Sequence, residues 1–415
     1  MAAVPKQVDV VIIGAGPSGA IASALLNKKG YSVIVFEKQQ FPRFSIGESL
    51  LPQCMEYIEQ AGFLPAIRDA GFQFKNGAAF AWGERYTYFN FEEKFSPGHG
   101  TTFQVERAHF DKLMADEAQK QGVDIRYRHV INDCQLHEGG GNTLTYTTPE
   151  GETATIDCRF VLDASGFGRV LPGLLDLEEP SDFPVRQAAF THINDGIAFG
   201  DFDRNKILVT VHPQERDIWY WLIPFSGGKC SLGVVASEEK LKKRGKDTPM
   251  ELLQAMVAEA PELAKMLDRA EWNNDANHIT GYSCNVKHLA NNHYALLGNA
   301  GEFLDPVFSS GITIAMRSAT MAVDVLTRQL EGETVDWQAD YEIPLRKGVD
   351  TFRVFVDAWY EGLFQDTIFY PHQSVSVREM ISSILAGYAW DENNPFVAEP
   401  RRRMGALAEF CSSGD

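Results

Sequence analysis

Three apolar runs in this chain end in glycine-rich turns. Val8 to Ile13 is dominated by β-branched residues and reads as a strand buried on both faces. A turn, a helical stretch and a second run from Tyr31 to Phe36 follow it. The apolar text of CRFVLDASGFGR (Cys158 to Arg169) ends in Asp163-Ala164-Ser165-Gly166, and Ala295 to Leu297 runs into Gly298-Asn299-Ala300-Gly301. Elsewhere the period is two. NTLTYTTPEGETATIDC reads as a hairpin turning at Pro149-Glu150-Gly151, and KILVTVHP, DIWYWLIPF and KCSLGVVA read as successive strands of one sheet. Helical period marks PQCMEYIEQAGF, TPMELLQAMVAEAPELAKML with Thr248 as N-cap, and YEIPLRKGVDTFRVFVDAWYEGLF.

The pattern predicts an α/β fold. A GxGxxG domain built on a mixed parallel sheet is expected over residues 1–75, 100–170 and 280–330. An antiparallel β-sheet substrate domain is inserted at 76–99 and 171–279, and a mostly helical cap covers 331–415.

Composition narrows the class. At 415 residues, 44% apolar and 23% charged, the chain suits two or three ordinary globular domains. A net charge of -18 argues against nucleic acid and anionic membranes as partners. Two local exceptions, Lys240 to Lys246 (KLKKRGK) and Arg401-Arg402-Arg403, read first as solvated faces and second as docking patches for an acidic partner. No run of about 18 apolar residues predicts a spanning helix, and the N-terminus lacks a signal layout. The six cysteines are scattered without a CxxC pair, which fits reduced thiols and a cytoplasmic location. The nearest histidines, His288 and His293, lack ligand spacing, so no metal is expected.

Chemistry enters with Gly14, Gly16 and Gly19. Directly after a strand they permit a tight turn, close approach of backbone to a pyrophosphate, and close packing of the helix that Pro17 and Ser18 open. Glu37 ends the second strand, about 20 residues on, where a carboxylate accepts from a ribose hydroxyl. Adding CRFVLDASGFGR, HYALLGNAGEFLDPVFSSGITIAM and QVERAHFDKLM (Gln104 to Met114), the chain up to about residue 320 resembles the FAD-binding fold shared by aromatic hydroxylases and flavin-dependent halogenases. The resemblance implies FAD contacts at Gly14, Gly16, Pro17, Ser18, Gly19, Glu37, Lys38, Arg43, Ser49, Arg107, Asp163, Gly298, Asn299, Pro306, Gly311 and Ile312. Asn299 departs from the usual Asp but still hydrogen-bonds a ribityl hydroxyl. There is no second GxGxxG, so a separate NAD(P)H domain is not expected.

Three further stretches are similar to marks of the halogenases. Trp219-Tyr220-Trp221-Leu222-Ile223-Pro224 is WxWxIP in full. A tryptophan pair by itself is ordinary core filling; the resemblance makes Trp219 and Trp221 a wall that keeps organic substrate off the flavin. Lys75 precedes Asn-Gly, where a lysine is ordinarily a solvated turn residue. Its place after Gly47-Glu48-Ser49-Leu50-Leu51-Pro52 matches the family's essential lysine, which holds hypohalous acid beside the substrate. FLDPVFSSG (Phe303 to Gly311) resembles FxxPxxSxG and implies a halide site at Ser310 and Gly311. Alternatively this helix start receives only the flavin ring, as in hydroxylases.

Phe308 stands where tryptophan halogenases carry a glutamate, which favours a phenol or pyrrole over indole. The length is similar to that of halogenases acting on rings tethered to an acyl carrier protein. The resemblance thus implies reduced FAD from a separate flavin reductase, O2, and chloride or bromide. Hypohalous acid made at the flavin passes through Lys75 to an electron-rich aromatic. An FAD-dependent aromatic monooxygenase, a flavin-dependent reductase of the geranylgeranyl-reductase-like type, and a flavoprotein that has lost turnover remain alternatives.

Overall fold

A computed structural model describes residues 4–413. The first sheet has a parallel centre: Asp124–Tyr127, Val33–Glu37, Gln7–Ile13, the second half of Thr153–Asp163, then Tyr294–Leu296. The first half of Thr153–Asp163 turns the sheet antiparallel, through Asn142–Thr147 to Val130–Leu136. Val10, Val11 and Ile12 are fully buried, as the unbroken apolar run requires of a strand covered on both faces. Gly14, Ala164 and Leu297 each donate a backbone N–H to the end of the neighbouring strand at 2.8 Å. The strand C-termini therefore finish together along one edge, where α/β sheets receive ligands.

The second sheet runs Asn277–Thr280, Arg186–Asn194, Lys229–Ser237, Trp219–Phe225, Lys206–Val211, Gly77–Trp82, Arg85–Asn90. Every neighbour pair is antiparallel except Lys206–Val211 with Gly77–Trp82. All seven residues of Trp219–Phe225 are buried. The period of two sends Trp219, Trp221 and Ile223 to the core shared with the first sheet, and Tyr220 and Leu222 to a smaller core under the helix Pro249–Ala258. Tyr220 Oη donates to the Met256 carbonyl there at 2.7 Å.

The helices hold one surprise. TPMELLQAMVAEAPELAKML, expected as one helix, is two: Pro249–Ala258 and Pro261–Met266. Thr248 caps the first in a reciprocal capping box with Glu251. Pro261 forces the break, because the residue before a proline is pushed out of helical geometry. The helix Ser310–Leu330 packs on Pro17–Lys28, and Ile343–Tyr360 brings Phe355 and Trp359 against Phe308. Phe308 thus sits in an aromatic cluster with Phe364, in edge-to-face pairs worth about 0.5–1.5 kcal/mol each. Among the described residues no helix is long and apolar enough to cross a membrane.

The basic run at 240–246 is largely neutralised within the chain. Lys240 pairs with Glu215 and Asp217, Lys242 with Glu238, Lys243 with Glu239, and Arg244 with Glu215 and Glu259. It offers an acidic partner little unopposed charge. Arg244 also occupies the one gathering of possible metal ligands among the described residues, His212, Glu215 and Glu259.

Candidate active site

One cavity of about 320 Å3 lies along the strand ends of the first sheet and reaches the inner face of the second. In its lining Gly14 takes φ +98°, and a Cβ there would meet the Ala164 carbonyl oxygen at 2.6 Å. At Gly16 a Cβ would meet only the Arg43 guanidinium, at 3.7 Å, so bare backbone faces the space a phosphate would fill. Pro17 and Ser18 line the cavity at the start of their helix, whose free N–H groups favour an anion. Glu37 lines it too, its carboxylate fixed by the N–H groups of Ala15 (3.0 Å) and Gln39 (2.8 Å). Those two bonds leave lone pairs for ribose hydroxyls. Lys38, Arg43 and Arg107 add positive charge. These groups fit a dinucleotide.

Three expected contact residues support the site from behind. Gly19 does not line the cavity; a Cβ there would lie 2.0 Å from the Gly14 carbonyl oxygen, so it serves close helix packing. Asp163 is fully buried and accepts from Ser165 N–H (2.9 Å) and Leu171 N–H (2.7 Å), which shapes the turn. Burial raises its pKa despite those bonds. Gly298, at φ +53°, lets Ala315 approach to 2.6 Å of a Cβ position.

The far end is lined by Asn299, Pro306, Ser309, Gly311 and Ile312 on one side and by Trp219, Trp221, Ile223 and Tyr282 on the other. Ser309 is a non-glycine residue at φ +56°, a left-handed cap just before the helix Ser310–Leu330. Such strain collects at functional sites. Ser310 is buried behind it, and Gly311 faces the cavity with the Phe303 ring 3.1 Å from its Cβ position.

Trp221 lies flat over Gly233 and donates Nε1–H to Ser231 Oγ at 3.1 Å. A Cβ at Gly233 would meet the indole at 2.2 Å. Gly233→Ala should therefore displace the ring, with a loss of about 1–3 kcal/mol in urea unfolding and a change in tryptophan emission. Unchanged emission and stability would show that the ring is not held there.

Lys75 is not the solvated turn residue its sequence neighbours suggest. It ends the strand Gln73–Lys75, paired with Thr102–Gln104, and is fully buried. Its Nζ donates to Ser49 Oγ and the Leu50 carbonyl, both at 2.8 Å, and lies 5.4 Å from the Phe91 ring centre. Burial lowers its pKa to about 7. Two acceptors and, among the described residues, no facing carboxylate suit a neutral amine, which has two N–H groups. Lys75 does not itself line the cavity; Ser49 does, standing between the two.

Sequence pattern missed three groups. Asp111, one helical turn after Arg107, takes both its guanidinium (2.7 and 2.8 Å) and that of Arg43 (2.8 Å); the i,i+4 spacing was the available signal. Glu48 lines the cavity and accepts from His192 Nε2 at 2.5 Å, joining the segment before Ser49 to the second sheet. Asp305 is buried beside Tyr282 and Tyr360. Asp305 caps the Val307 N–H two residues on, but nothing local marks its pairing with Tyr282 and Tyr360 or that of Glu48 with His192, because those partners lie far away in the chain.

The comparisons with known proteins agree with this geometry. The family model described as FAD binding domain matches residues 7–342. A 1H-pyrrole-2-carbonyl-[peptidyl-carrier protein] brominase of Pseudoalteromonas luteoviolacea is 28% identical over 395 residues, covering 93% of each chain. The corresponding chlorinase of Pseudomonas fluorescens is 27% identical, covering 97% of this chain and 94% of its own. Among solved structures, a flavoprotein/dehydrogenase from Cytophaga hutchinsonii is 41% identical with a TM-score of 0.94, over 98% of this chain and 99% of that one. A flavin-dependent brominase is 26% identical with a TM-score of 0.83, over 97% and 100%.

Proposed function

The chain belongs to the FAD-binding domain family, and from that footing we propose that it is a flavin-dependent halogenase of electron-rich aromatic rings, phenols or pyrroles. One observation carries the reading: the buried amine of Lys75 stands one residue, Ser49, behind a cavity walled by Trp219 and Trp221. A lysine kept out of water with its pKa near 7 is a costly arrangement, and such shifts gather at sites of chemistry. The 13 other expected contact residues that line the cavity (all but Gly19, Asp163 and Gly298) would hold FAD.

When bound, reduced FAD supplies the means to oxidise halide with O2 to hypohalous acid. The protein's own residues do the rest. The first N–H groups of the helix at Ser310 and Gly311 have no intrahelical partner, and Gly311 faces the cavity, so a halide is favoured there. Trp219 and Trp221 keep a ring-sized substrate away while a small electrophile passes. Lys75 takes that electrophile from the Ser49 side and holds it for substitution. Phe308 supplies no base, which favours rings active enough to need none.

The carrier-bound pyrroles in the names of the brominase and chlorinase support a carrier-tethered substrate here. With a single GxGxxG in the sequence, reduced flavin would come from a separate reductase. The likeness to the Cytophaga flavoprotein/dehydrogenase favours a second reading, flavin-dependent dehydrogenation. Incubation with reduced FAD, O2, chloride or bromide, and phenols, free pyrroles and carrier-bound pyrrole-2-carbonyl thioesters separates the two. Halide-dependent mass gain is expected. Product formed equally without halide or without O2 would sink the halogenase reading.

A further inference from the structure

Two stretches far apart in the chain, the Trp219 strand and the FLDPVFSSG loop, meet through the end of the helix Ile343–Tyr360. Trp219 Nε1–H donates to the Tyr360 hydroxyl at 3.0 Å. Tyr360 donates to Asp305 Oδ2 at 2.8 Å, and the Tyr282 hydroxyl donates to the same oxygen at 3.4 Å. The Val307 N–H donates to Asp305 Oδ1 at 3.0 Å. The Arg186 guanidinium covers the Tyr360 ring, 3.2 Å from its centre. Trp219, Tyr282, Asp305 and Arg186 are all buried.

A phenylalanine at 360 would fill the same space. Only the hydroxyl links the indole to the carboxylate, accepting from one and donating to the other. A buried carboxylate is expensive unless its lone pairs are used, and here its donors come from three separate elements. We propose that Tyr360 and Asp305 are positioning residues that latch Trp219 in place at the cavity wall, so that the helix Ile343–Tyr360 sets which ring-bearing molecules the wall excludes. The consequence for specificity rests on the halogenase reading; the latch itself does not.

Asp305 also makes the latch readable. Burial raises its pKa to about 6, against the lowering effect of Tyr360, Val307 N–H, Arg186 and Tyr282, the groups that face it. Below that pH the carboxyl is neutral, and the Tyr360–Trp219 bond should change with it.

The test uses the full-length chain without halide or substrate. The emission of Trp219 is isolated as the difference between proteins with and without Trp219→Phe. In the wild type this difference should titrate with a midpoint at about 6. Tyr360→Phe should abolish the transition and shift the emission. Asp305→Asn, isosteric and unable to ionise, should abolish the transition while circular dichroism reports a native fold; the His192–Glu48 pair remains in it as a control. A Trp219 signal in Tyr360→Phe equal to wild type at every pH overturns the latch, and so does a transition that survives Asp305→Asn. Failure to halogenate any aromatic, with the titration present, would overturn the halogenase reading and leave the latch standing.

Discussion

Lys75→Met and Lys75→Arg should each lower halogenated product by about 100-fold or more, the scale on which removing a positioned catalytic group acts. Methionine fills the buried site without an amine. Arginine keeps a cation but never offers a neutral nitrogen, and a retained positive charge alone would then rescue nothing. Lys75 does not line the cavity, so FAD binding and reductant-driven O2 consumption should persist in both variants. Methionine leaves Ser49 Oγ and the Leu50 carbonyl without their donor, a loss of about 1–3 kcal/mol, so melting curves must accompany the assay. The pH profile adds a sign. Burial lowers the amine to about 7, protonated below and neutral above. The halogenation rate should rise as pH climbs through about 7 and then level off. A Lys75→Met protein that halogenates like wild type would remove the lysine from the mechanism.

Gly14→Ala should cost the protein its flavin. The backbone at φ +98° is strained for any L-residue, by about 1–3 kcal/mol. The added methyl would also lie 2.6 Å from the Ala164 carbonyl oxygen, a backbone atom that accepts no cheap shift. Because the turn aims the helix Pro17–Lys28 at the cofactor, a displacement should weaken FAD retention at least tenfold, about 1.4 kcal/mol. Gly30→Ala is the matched control: φ is +87° but nothing lies within 4 Å. It should lower the melting point and leave FAD absorbance intact. Equal retention of FAD in both variants would mean that the turn is not what orders the site.

Where local chemistry decides structure, pattern alone was sufficient. Val8 to Ile13, the turn at Gly14 and the carboxylate of Glu37 form one continuous strand–helix–strand stretch, within which Gly14 N–H meets the Phe36 carbonyl and Ala15 N–H meets Glu37. The hairpin at Pro149 to Gly151 and the Thr248 cap are legible for the same reason. Pro261 was equally local and could have been read as a break.

Long-range partners decided the rest. The sequence placed Lys75 beside Asn-Gly, but the strand Thr102–Gln104 and the Ser49–Leu50 segment remove it from water, and that removal makes it a candidate nucleophile. Alternation showed that Trp219 and Trp221 share a face, while only the packed sheets showed that this face lines the cavity. The basic run at 240–246 reads as a patch until Glu215, Asp217 and Glu259 come to meet it. Asp305 and Tyr360 carry no motif that joins them. Turn geometry and strand period are set within a few bonds and can be read along the chain. Burial, charge pairing and pKa are set by whatever the fold brings near, and they exist only in three dimensions.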